Sequence, residues 1–260
     1  MLHEAALADQ SPALATLMRG KMSESLAGEA KWKDVDRGTF TRFAQFAYTG
    51  DYSIPHTIVK TRDTRLPQDK ESSLPQIEPE PEPADEWDFT SLSKKHNKTK
   101  SIFGSAPAPP TAALKAFNSL NYPLLKPRSN FAETCEPAIK VGCSENFREI
   151  LLVHASLYVL AEKWGVESLK VLTLFKLHRT LKMLRLDAST VEGIVDLTRY
   201  TYLDETTPDL DTGIDGLREL ICHYIAANAK MMTEHTSFRA LIEDGGALAR
   251  DLWKHVALFL

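Results

Sequence analysis

Twelve of the fourteen prolines in this 260-residue chain fall between Pro55 and Pro137; only Pro12 and Pro208 lie outside. Proline lacks a backbone donor and clashes with the preceding helical turn, so a window this dense in it disfavours long helices and central strands. Within the window, Leu66 to Thr90 carries eight acids against one base, and Glu78-Pro79-Glu80-Pro81-Glu82-Pro83 alternates acid with proline. Such a repeat has nothing to bury and is expected to be extended and solvated. Lys94-Lys95-His96-Asn97-Lys98-Thr99-Lys100 follows as a basic run. It reads as a solvated counterweight to those acids in preference to a nuclear-import signal. Residues 62–146 are therefore expected to form a disordered insertion or linker between 1–61 and 147–260.

The two flanks have the patterning of folded chain. Ser11 is placed to cap a short helix with Pro12 at its first position, Leu14, Leu17 and Met18 on one face, and Gly20 at its end. Ala30 to Val35 alternates weakly and is expected to be a short strand. Phe40, Phe43, Ala44, Ala47 and Tyr48 recur at helical spacing, and Gly50 closes that helix. After residue 145 the pattern is helical throughout. Val153, Leu157, Leu160 and Trp164 form one stripe, stopped by Gly165, and Leu174, Leu177, Leu181 and Leu184 form a second. Ser189 with Glu192 is expected to make a capping box before Ile194, Leu197 and Thr201. Leu217, Leu220, Ile221, Tyr224 and Ile225 make a fourth stripe, and Gly245-Gly246 separates the last two helices.

Composition narrows the function classes. Apolar residues are 43% and charged residues 25%, enough for a sizeable core. A net charge of −4 gives no field to attract a nucleic-acid backbone, so nucleic acid is not an expected partner. Three cysteines are too few for a disulfide scaffold, which points to a reducing, intracellular setting in nucleus or cytoplasm, not to secretion. No basic leader and no apolar run of membrane-spanning length is visible, so no membrane association is expected.

Four segments, in order, carry a family resemblance. His3-Glu4-Ala5-Ala6-Leu7-Ala8-Asp9-Gln10-Ser11-Pro12 precedes Phe40-Thr41-Arg42-Phe43-Ala44-Gln45-Phe46-Ala47-Tyr48-Thr49-Gly50-Asp51-Tyr52. Leu157-Tyr158-Val159-Leu160-Ala161-Glu162-Lys163-Trp164 follows, and then Phe238 to Gly246. Together they resemble the fungal BTB/POZ domain proteins, over roughly two thirds of the chain. Members of that family carry a strand, a helix and a hairpin ahead of the residue matching His3. The resemblance implies an α+β, mostly helical fold: a BTB/POZ-like helical cluster with a reduced sheet, followed by a C-terminal helical extension. It also implies a protein-interaction module that self-associates or recruits a cullin-type ubiquitin-ligase scaffold. The alternatives are a remodelled fragment without binding competence, or an enzyme with an unrecognised site in the C-terminal helices.

Met22-Ser23-Glu24 stands where some family members carry a hydrophobic-x-Glu contact to a cullin, so Met22 and Glu24, together with Tyr48, are the expected partner-binding residues. No catalytic, cofactor or metal residues are expected. Cys135 and Cys143 have seven residues between them, not the two of a zinc pair, and no two histidines stand at i, i+4. Asp209, Asp211, Gly213 and Asp215 fail as a calcium loop, because Ile214 and Leu220 occupy its required Gly and Glu positions. These acids read instead as a loop and a helix cap. Phosphate-loop, nucleophile-elbow and dinucleotide-binding signatures are absent from the sequence.

Overall fold

One helix explains the architecture. Phe147–Trp164 is apolar on two faces, and a helix apolar on two faces is buried on both. Its Leu151, Ala155 and Tyr158 enter one hydrophobic core, while Ile150, Leu157, Leu160 and Ala161 enter another. The computed structural model describes residues 3–20, 26–55, 111–129, 132–136, 147–203, 206–207, 209–210 and 213–259. The chain divides into a unit of residues 1–59 with 110–260 and a second of residues 60–109; the second lies outside the described residues.

The first unit runs α1 (Glu4–Ala8), α2 (Pro12–Arg19), α3 (Arg37–Thr49), α4 (Ala112–Ser119), α5 (Phe147–Trp164), α6 (Glu167–Met183), α7 (Ala188–Thr201), α8 (Gly216–Ala227), α9 (Ala229–Thr233), α10 (Thr236–Glu243) and α11 (Gly246–Val256). Single turns of 3-10 helix lie at Ala132–Cys135 and Ala257–Phe259. The front core joins Leu7, Leu14, Phe43, Phe46, Tyr52 and Ile54 to α5 and to Val166, Leu169 and Leu172. The rear core gathers α4 to α11 around Leu177, Ile194, Leu217 and Ile221.

Local signals set many of the helix ends. The Ser11 hydroxyl accepts from the Leu14 amide at 3.2 Å, with Pro12 at the first helical position. Gly50 ends α3 at φ 71°, donating to the Phe46 carbonyl at 2.8 Å. Gly165 takes φ 64° between α5 and α6. The cap of α7 is Asp187, not Ser189. Its carboxylate accepts from the Ser189 and Thr190 amides, and the Thr190 hydroxyl accepts from the Asp187 amide. Glu192 instead reaches across to the Ser237 hydroxyl.

The α+β expectation is wrong: the described residues contain no strand and no sheet, and the fold is mostly helical. The residues read as a strand, 30–35, are irregular and turning. A strand needs a neighbouring ladder to satisfy its backbone, and none lies alongside. Packing holds this segment instead. Trp32 stacks on Trp164 at 4.8 Å and meets Phe40 edge-on at 5.2 Å. Regular structure also enters the span expected to be a linker: α4 buries Ala113 and Phe117, because five apolar residues in 112–117 give it a face for the rear core.

Candidate functional site

Tyr48, the one expected site residue among those described, occupies the last turn of α3. Asp36 caps the start of that helix, accepting from the Thr39 amide at 3.0 Å, and Phe43 and Phe46 pin its inner face. The outer face then carries Tyr48, 47% exposed. Its hydroxyl accepts from the His3 amide at 2.7 Å and pairs with His3 Nδ1 at 3.1 Å, fixing the ring. Met22 and Glu24 lie outside the described residues, as do Cys143, Asp211 and the basic run 94–100.

Directly after this helix the chain turns inward. The left-handed Gly50 aims Asp51 into the protein, where it is wholly buried. Asp51 Oδ1 lies 2.5 Å from Lys176 Nζ, and Oδ2 lies 2.6 Å from Arg128 Nη2 and accepts from Nε at 2.8 Å. Lys176, 3% exposed, also donates to the Tyr52 carbonyl at 2.6 Å and sits 4.2 Å over the Tyr52 ring. Arg128 continues to Glu136 at 2.7 Å, and Glu136 to Arg179 at 3.2 Å. The Tyr52 hydroxyl pairs with His154 Nδ1 at 2.7 Å, and Thr180 approaches Nε2 at 3.5 Å.

Burial sets the electrostatics of this cluster. Desolvation, aided by Lys176 and Arg42, pushes His154 down to about 3, so the imidazole is neutral at physiological pH. Burial lowers the Lys176 pKa against the opposing pull of Asp51. Burial raises the Tyr52 hydroxyl well above its ordinary value, and Asp51 and Glu136 push it the same way. A carboxylate held by an ammonium and a guanidinium, with no access to solvent, is a structural anchor. The cluster ties the turn after α3 to α6 through Asp51 and Lys176, and to Arg128 and Glu136.

Asp51, Lys176 and Arg128 were missed by sequence reasoning. A signal existed. Lys176 stands one turn from Leu172, between Leu169 and Leu177, so it interrupts an apolar stripe. A lysine on a core-facing stripe calls for a buried acid opposite it.

A second buried set lies between α8 and α11. The Arg218 guanidinium sits 4.6 Å over the Tyr202 ring, donates from Nε to the Thr207 hydroxyl at 2.7 Å, and pairs with Asp209. Tyr202 also meets Cys222 Sγ at 3.3 Å. Burial pushes that thiol up to about 12, which keeps it protonated and unreactive. Asp215 caps α8, accepting from the Leu217 amide at 2.9 Å, and accepts from Tyr158 at 2.8 Å. Asp209 and Asp215 thus serve as an ion-pair partner and a helix cap.

Among the described residues, no helix is long and apolar enough to cross a membrane. Comparison of the chain with protein-family models, with curated proteins and with solved structures returned no match in any of the three.

Proposed function

We propose that the chain is a non-enzymatic protein-interaction module of the BTB/POZ type, built here of helices, with Tyr48 as an anchor for its partner. The observation that carries this reading is the way Tyr48 is held. An aromatic ring half open to solvent is held by the His3 amide and imidazole, and its helix runs directly into the ion-paired turn at Asp51. Preorganised tyrosines lose little entropy on binding and are enriched among residues that dominate interfaces. The resemblance to BTB/POZ proteins nominates a cullin-type scaffold as partner, and Met22 and Glu24 as further contact residues.

The test is calorimetric titration of the purified chain with a cullin N-terminal domain, alongside light scattering of the chain alone. Binding is expected, and Tyr48→Ala should weaken it at least tenfold, about 1.4 kcal/mol. A dimer that Tyr48→Ala dissolves makes the partner a second copy of this chain. A monomer that ignores the cullin domain defeats the reading.

A further inference from the structure

Glu219 and His223 stand four residues apart on α8, one helical turn, and so share a face. Helix α11 packs against α8 and brings His255 to the same place. The two imidazole rings meet edge to face, centroids 4.6 Å apart. One carboxylate oxygen and one nitrogen from each ring all lie within 4.8 Å of one another.

Two details distinguish this cluster from a chance meeting of side chains. His255 is buried, and its Nδ1 lies 3.0 Å from the Asp251 backbone carbonyl. A carbonyl only accepts, so Nδ1 is the donor and Nε2 is the nitrogen left to face another partner. Metal-bound histidines are oriented in this way, one nitrogen donating to the protein and the other facing the ion. His223 Nδ1 is buried with no hydrogen-bond partner among the described residues. Buried polar atoms are almost always paired, and an ion at this point supplies what the protein does not.

We propose that Glu219, His223 and His255 bind a zinc ion that clamps α11 to α8. Two imidazole nitrogens and a carboxylate oxygen are a borderline donor set, which suits zinc over calcium or magnesium. Tetrahedral zinc, bound about 2.0–2.1 Å from each ligand, needs those atoms about 3.4 Å apart. Glu219 is exposed, and the site as proposed draws its carboxylate inward when the ion binds. Water takes the fourth position on the Glu219 side. The sequence hides this site because His223 and His255 lie on separate helices, and only the pairing of Glu219 with His223 at i, i+4 is local.

The experiment uses the full chain, stripped with chelator and titrated with zinc chloride by calorimetry, with cobalt as a spectroscopic probe. One ion per chain is expected, with d–d absorption of four-coordinate cobalt and a raised Tm on zinc addition. Glu219→Gln and His223→Gln should each weaken binding at least about tenfold. Glu219 is exposed, so that variant folds whatever its effect on the metal. The proposal is overturned if no stoichiometric binding occurs, or if both variants bind zinc as tightly as the unaltered chain and the ion therefore sits elsewhere.

Discussion

Asp51 and Lys176 form a salt bridge at 2.5 Å with both side chains out of water, although the whole proline-rich stretch lies between them in the sequence. The pair joins the turn after α3 to the middle of α6. Arg128 binds the second carboxylate oxygen, so one acid satisfies two cations. An arrangement like this gives position more than stability, since desolvation offsets much of the Coulomb attraction.

Removing one member is costly all the same. Asp51→Ala leaves Lys176 buried without its counter-charge and should lower unfolding free energy by about 3–5 kcal/mol in urea denaturation. Lys176→Met strands the carboxylate less, because Arg128 remains. The double variant should be less destabilised than the sum of the singles by about 1–3 kcal/mol. Strict additivity would mean that the two side chains do not interact in solution.

His154 gives the protein an acid-sensitive core. Its pKa of about 3 in the folded chain lies below the ordinary 6.5, because burial among Lys176, Arg42 and Tyr52 disfavours the charged ring. Above pH 6.5 neither state is protonated and the residue adds no pH dependence. As pH falls from 6.5 towards 3, the unfolded chain takes up the proton and the folded one does not, so stability is lost. Between pH 7 and 5 the loss amounts to about 2 kcal/mol. His154→Gln should flatten the curve of stability against pH by that amount. His178 and His223, also lowered by burial, remain in both proteins and cancel in the comparison. An unchanged curve would show that the ring is not buried in its neutral form.

Gly50 is required twice over. Its φ of 71° disfavours any side chain, and a Cβ there would stand 2.9 Å from the Pro127 carbonyl oxygen. Gly28, at φ 66° with nothing within 4 Å, isolates the conformational part alone. Gly28→Ala should cost about 1 kcal/mol, and Gly50→Ala measurably more, read as the difference in urea midpoints. Equal costs would mean that the Pro127 carbonyl does not lie against the turn.

Much of the secondary structure is written locally. Ser11 with Pro12, the stop at Gly50 and the stripe of Leu174, Leu177 and Leu181 each depend on residues within about one helical turn of one another. Those features read correctly from residue type and spacing. Misreadings arose where a local pattern needed a distant partner. The weak alternation of 30–35 found no ladder and packed its Trp32 instead, and Ser189 yielded the cap to an aspartate two residues earlier.

The sequence by itself determined where the longer helices of the flanks run, part of the faces they bury, and that prolines crowd the middle of the chain. Only the tertiary structure decided that α5 divides two cores, that Asp51 meets Lys176 and Arg128, and that His223 stands beside His255. Periodicity and capping act over a few residues, whereas a buried charge or a cluster of donors takes its meaning from whatever the folded chain brings against it.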